Sequence, residues 1–240
     1  SCEWALKADP SFGRAIGLWL ASFFKAESAE IPMPDYFAPN HADAGVYATT
    51  AGPEYLYQAL ERAIKDKNGY VALGVIEALA VTAGEKSLLY RYGPTQPLLE
   101  ALSFDEKAVR YSAAIAVTSA GPKEDFMESK LVVENLAAAL AEKSGRSTEQ
   151  SLLWNAALAE SYALRAANVI LKSALTENPV IDLTAALPAL VNATEDKRPQ
   201  IKILAAQTLA RLRNSNAQRA IAAMALDEKN PLEIRISAFD

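Results

Sequence analysis

Gln96-Pro97-Leu98-Leu99-Glu100-Ala101-Leu102, then Ser103-Phe104-Asp105, then Glu106-Lys107-Ala108-Val109-Arg110-Tyr111-Ser112-Ala113-Ala114-Ile115-Ala116-Val117 is the stretch that decides the fold. Pro97 stands where a helix tolerates it, at a first position whose N–H has no intrahelical partner to lose. Apolar residues then recur at helical spacing, a corner follows at Ser103–Asp105, and a second apolar helical face opens at Val109. The stretch reads as a short helix, a tight turn and a second helix, closing at Gly121. Weaker copies occur on both sides.

The second helices test the repeat. Val109, Ala113, Ala116, Val117 and Ala120 occupy positions i, i+4, i+7, i+8 and i+11 of one face. The same progression returns as Ala72, Ile76, Leu79, Ala80 and Ala83; as Ala163, Ala167, Ile170, Leu171 and Ala174; and as Ile201, Ala205, Thr208, Leu209 and Leu212. A lone pair of such helices would expose one apolar side, so stacking is what buries it, and several pairs are needed. Small residues at these positions let neighbouring helices approach closely.

Working outward, Tyr55–Lys65 and Tyr70–Ala83 form the pair before the central one, joined by Asp66-Lys67-Asn68-Gly69 and closed by Gly84. A third pair opens at Lys130 and runs to about Glu142. Its partner is expected to start at Ser147-Thr148-Glu149-Gln150, which has capping-box form, and to run unbroken to Asn178-Pro179 or to bend near Glu160-Ser161. Thr184–Ala193 and Pro199–Arg213 make a fourth pair, with Pro188 an irregularity, and Asn216–Leu226 and Pro231–Asp240 a fifth. At the other end, Asp9-Pro10 starts a helix reaching about Glu27, the second half of an N-terminal hairpin over residues 1–30. Between them, residues 31–53 hold Pro32, Pro34, Pro39 and Pro53 and are expected to be mostly irregular. The fold class is therefore all-α, with a repeat array over residues 54–240.

Charge is unevenly spread. The chain as a whole carries −5, yet Lys197 to Arg235 holds eight basic residues against three acidic ones. Overall acidity disfavours a general nucleic-acid binder, while the basic C-terminal stretch is compatible with an anionic partner. The single cysteine, Cys2, excludes an internal disulfide. The longest apolar run, Ile16 to Phe24, is about half a membrane span, so no membrane span is expected. No apolar leader is visible; a cytoplasmic location is slightly favoured, and a targeting segment removed ahead of Ser1 is left open.

At Asp105, Val109-Arg110 and Ala113-Ala114 the sequence resembles the HEAT repeat family, including the HEAT-like repeats of phycobilisome lyase-type proteins. That family sets a proline early in the first helix, an Asp at the turn and a Val-Arg pair at the opening of the second. Pro97, Asp105, Val109 and Arg110 match it in the central copy, Asp196, Ile201 and Lys202 in the fourth, and Asp227, Ile234 and Arg235 in the last. Leu73 and Leu164 stand where the family has a basic residue. The resemblance implies an α-solenoid, a right-handed superhelix of about five antiparallel helix pairs, over residues 54–240. It also implies that Asp105, Arg110, Asp196, Lys202, Asp227 and Arg235 brace the turns; the other reading of the basic members, that they face outward to a ligand, stays open.

Catalytic chemistry finds little support. Only His41 and Cys2 are available for a base-assisted nucleophile, and both lie outside the periodic region. His41 with Asp35 and Asp43 falls short of the three or four convergent ligands a metal needs, and there is no phosphate-cradling glycine loop, so no metal, cofactor or catalytic residue is expected. Trp19 and Trp154 lie in apolar stretches read as helical and are expected in the core. The sequence thus points to a non-enzymatic interaction scaffold whose second helices line a concave surface that holds a protein or peptide, with Arg165, Arg211 and Arg213 as candidate binding residues. The alternatives are an anionic-partner binder through the basic C-terminal repeats, or a lyase-like ligand handler with a polar pocket near Glu160, Arg165 and Asn168.

Overall fold

A computed structural model describes residues 8, 13–28, 43–82, 89, 91, 94–143 and 154–236. Among these the chain is all-α, with twelve α-helices and no strand. It divides into two compact units, Ser1–Ala120 and Gly121–Asp240. The boundary falls inside the stretch expected to form one array. Its local cause is plain: Gly121 takes φ +67° and Pro122 follows, so the helix ending at Ala120 cannot continue.

In the first unit the elements are α1 (Gly13–Ser28), α2 (Ala44–Ala51), α3 (Pro53–Lys65), α4 (Gly69–Thr82), α5 (Pro97–Glu100), which continues as the 3-10 turn Ala101–Ser103, and α6 (Lys107–Ala120). The 31–53 segment therefore contains a helix, α2. Asp43 provides its start, accepting a hydrogen bond from the Val46 N–H at 2.9 Å, and Gly52 at φ +99° ends it before Pro53 opens α3. Residues 29–42, with His41, lie outside the described residues, as do the expected N-terminal start at Asp9-Pro10 and the first half of the hairpin.

Helix α3 shows why these segments are helical. Leu56, Tyr57, Ala59, Leu60 and Ala63 make one buried stripe, while Arg62–Asp66 at 2.7 Å and Lys65–Glu61 at 2.8 Å pair on the outer face. It ends in a Schellman motif: Lys67 at φ +49° donates its N–H to the Ile64 carbonyl and Asn68 to the Ala63 carbonyl. Asn68 then accepts from the Val71 N–H at 3.2 Å, so one residue closes α3 and opens α4.

Packing follows the pairs. α3 lies on α4, α3 touches α5, and α4 touches α6. α1 crosses both α3 and α4 at close range: a Cβ on Gly17 would sit 2.7 Å from the Cβ of Gln58, and one on Gly74 2.5 Å from the Phe24 ring. Trp19, Phe23 and Tyr47 cluster with ring centroids 5.5 to 5.6 Å apart and fix α2 beside α1.

The second unit comprises α7 (Ser129–Leu140), α8 (Ala156–Leu175), a 3-10 turn (Leu183–Ala186) leading into α9 (Leu187–Ala193), α10 (Pro199–Arg211), α11 (Ser215–Leu226) and α12 (Leu232–Ile236). First helices touch first helices, α7 on α9 and α9 on α11; second helices touch second helices, α8 on α10 and α10 on α12. Each first helix also packs on its own second helix, giving two layers with the apolar residues between them.

Helix α8 corrects one expectation. It is 20 residues long, shorter than the run from Ser147, and starts at Asn155, whose Oδ1 accepts from the Leu158 N–H at 2.9 Å. The Ser147–Gln150 capping pattern lies outside the described residues. Trp154 precedes the helix instead of belonging to it, yet it is buried, stacked on Tyr162 with centroids 5.5 Å apart. α8 closes with a second Schellman motif, Glu177 at φ +46° and Asn178 donating to the Ser173 carbonyl. Pro188 marks the passage from the 3-10 turn into α9. α12 is described only as far as Ile236.

The faces of the second helices are largely as spaced. The i, i+4 and i+7 members are buried in all four copies, including Ala72, Ile76, Leu79, Val109, Ala113, Ala163, Ala167, Ile201, Ala205 and Thr208. At i+8 the pattern loosens: Val117 and Leu209 are buried, Leu171 is half-buried and Ala80 is exposed. The last turn of α4 emerges from the packing, as its neighbour Val81, 80% exposed, also shows.

Candidate functional site

The turns come first, because they position the site. In the central copy Arg110 donates through Nη1 to the carbonyls of Phe104 and Asp105, at 2.6 and 2.7 Å. The Asp105 carboxylate is not its partner; it is exposed and meets Lys67 of the preceding turn at 3.5 Å. Arg235 plays the corresponding part in the last pair, donating to the Ala225 carbonyl at 2.8 Å, while Asp227 accepts from the Lys229 N–H at 3.0 Å and shapes its own turn.

The fourth turn differs. Asp196 is held by Arg198, not Lys202: the guanidinium donates Nε to Oδ1 at 2.9 Å and Nη2 to Oδ2 at 2.8 Å, with side chains 13% and 15% exposed. Nη2 also donates to the carbonyl of Glu142, at the turn that follows the first helix of the previous pair. These bonds hold the Asp196 carboxyl below the usual carboxylate range, the Arg198 side-chain hydrogen bond being the largest cause. Lys202 reaches the other way and donates to Asn230 Oδ1 of the fifth turn at 2.9 Å. Arg198 and Lys202 thus fasten three successive turns of the second unit along one edge. Both Arg198 and Asn230 stand immediately ahead of a helix-opening proline, Pro199 and Pro231, and that shared position is the sequence signal for them.

Between α9 and α11, with Lys202 of α10 and residues 227–230 at its turn end, lies an open cleft of about 990 Å³. Leu187, Val191, Ala220 and Met224 supply its apolar lining, Met224 being buried at its base. Lys202, Arg219 and Lys229 contribute cations, Glu195 and Asp227 carboxylates, and Asn192, Asn216 and Asn230 amides. Among the described residues no aromatic side chain lines it. A smaller cleft of about 430 Å³ lies beside Ser129, Lys130, Asp182 and Thr184. There the Thr184 hydroxyl and N–H both donate to Asp182, hold its carboxyl below the usual range and cap the 3-10 turn.

The residues singled out in the sequence fall in several places. Arg165 lies over the Tyr162 ring at 5.1 Å, and its neighbours Glu160 and Asn168 are exposed on α8, Asn168 donating to the Leu164 carbonyl. Neither cleft includes these three. Arg211 and Arg213 are exposed at the α10–α11 corner, the end of α11 from which Arg219 projects one turn later. Arg219 and Lys229 belong to the basic C-terminal stretch evident in the sequence, but their meeting in one cleft with Asn230 is not, because the cleft joins helices that are not consecutive. Among the described residues no group of three or more His, Cys, Asp or Glu is placed to hold a metal ion, and no helix is long and apolar enough to cross a membrane. The chain matches no protein-family model, no curated protein and no solved structure.

Proposed function

We propose that this chain is a non-enzymatic interaction module, an α-solenoid of HEAT-like helix pairs that presents a helical surface to a protein or peptide partner. The observation that carries the reading is the packing order of the second unit. First helices stack on first helices and second on second, so a long surface is built by repetition, and an open cleft remains between α9 and α11. Rigid tiers hold such a surface without paying the ordering cost of a flexible one.

The test is photo-crosslinking of the full chain in extract of its source cells, with the crosslinker placed at Asn192 or Ala223 in the cleft or at Glu77, exposed on α4. A defined protein captured from cleft positions and not from Glu77 supports the module. Capture of nothing above background at any position, together with turnover of a small molecule by the same preparation, would overturn it in favour of a ligand-handling protein.

A further inference from the structure

Resting on that reading, we propose that the α9–α11 cleft is the recognition site itself, and that its occupant is a short acidic peptide segment in which a carboxylate lies beside an aliphatic residue. The size of the opening sets the class of guest. About 990 Å³ is at the upper end of the range for small-molecule sites, and the cleft is open rather than enclosed; it suits several residues of chain lying along it.

The lining sets the chemistry. Val191, Leu187, Ala220 and Met224 offer aliphatic contact, and the unbranched thioether of Met224 adapts its shape to the side chain it receives. Above them the charges are not balanced. Asn230 accepts from the Lys202 ammonium at 2.9 Å and itself donates Nδ2 to the Met224 carbonyl at 3.2 Å, so the amide is anchored through its nitrogen and holds the lysine through its oxygen. An ammonium has three donors, and this bond uses one. Arg219 and Lys229 are exposed, and neither side chain makes a hydrogen bond or ion pair among the described residues. On the acidic side stand Glu195 and Asp227, the latter also accepting from the Lys229 N–H, so among the described residues the lining holds three cations against two carboxylates. A guest carboxylate therefore finds Lys202 preset and Arg219 free, with Arg211 and Arg213 extending the positive potential from the adjoining corner. A nucleic acid is the poorer fit: single strands are gripped by aromatic stacking, and among the described residues no aromatic ring lines the cleft.

The test pans a displayed library of short linear peptides against the full chain, then measures the selected peptides by fluorescence anisotropy at low and moderate salt. The targets are the wild type, Arg219→Glu and the Arg219→Glu/Lys229→Glu double variant. Both positions are exposed and their side chains make no hydrogen bond or ion pair among the described residues, so the variants keep the wild-type circular dichroism and melting. The expected result is enrichment of peptides with Asp or Glu beside Leu, Ile or Val, weakened about tenfold or more by Arg219→Glu and weakened by salt. Peptides that bind the double variant as tightly as the wild type overturn the cleft while leaving the interaction module standing. Enrichment of basic or uncharged peptides, no enrichment, or tighter binding of a single-stranded oligonucleotide in competition overturns the acidic-peptide occupant. The crosslinking result decides the module separately.

Discussion

Two non-glycine residues, Lys67 and Glu177, sit in the left-handed region at φ +49° and +46°, each closing a Schellman motif whose next residue is an asparagine. A side chain there carries a steric cost that glycine does not. Lys67→Gly and Glu177→Gly are each expected to raise stability by about 0.5 to 1 kcal/mol in urea unfolding, the loss of the exposed Lys67–Asp105 contact counting for little. Gly17 is the opposite case. Ala would ordinarily favour the helix, but its Cβ would meet the Cβ of Gln58 at 2.7 Å and the Tyr55 carbonyl oxygen at 3.3 Å, atoms close to the backbone of α3 with little room to yield. Gly17→Ala is expected to lower stability by about 1 to 3 kcal/mol, read from the same unfolding curves; a gain would show that α1 shifts freely on α3.

At the scale of the element, the turns show what local pattern conveys and what it conceals. Val109, Ala113 and Ala116 and their counterparts could be read because a helix face is a property of one segment. Asn155 was missed because Leu152, Leu153 and Trp154 continue the apolar run ahead of it, masking a cap whose signal is a single side chain. α2 was missed for a related reason: the prolines around it outweighed Asp43, and eight residues suffice for a helix once its first N–H groups are satisfied. The turn clip of Asp196 and Arg198 has a pH signature. Its carboxyl titrates lower in the folded chain than in the unfolded one, so its stabilisation is complete above the unfolded value of about 4 and fades as pH falls through the folded value. Asp196→Asn is expected to lose about 2 kcal/mol near neutral pH, and the gap from the wild type should close below about pH 4. Denaturation series at several pH values check this; a gap constant down to acid would assign the loss to packing instead. Asn230→Ala frees Lys202 and removes the bond to the Met224 carbonyl, with an expected cost of about 1 kcal/mol and faster amide exchange at residues 227–230.

For the whole molecule, the division at Gly121 makes each unit answerable for its own core. Leu56, Leu60, Ile76, Leu79, Leu98 and Leu102 fill the first; Leu136, Leu140, Tyr162, Ile170, Leu190 and Leu209 fill the second. Residues 1–120 and 121–240 expressed separately are each expected to keep a helical circular dichroism spectrum and to melt cooperatively; a fragment that stays unfolded would show that its core is completed elsewhere. Helix count and pairing could be read in the sequence to this extent, but the boundary could not, since Gly121-Pro122 resembles the other helix ends. The cleft could not be read either, because no segment contains it: α9 and α11 meet across an intervening helix.

The bonds from Arg198 to Glu142 and from Lys202 to Asn230 run along the turn edge of the second unit. They work as the spine of a book works, holding the leaves at one margin. Any separation of α9 from α11 is therefore expected to begin at the opposite margin, where Arg219 stands, and to be resisted at the stitched one.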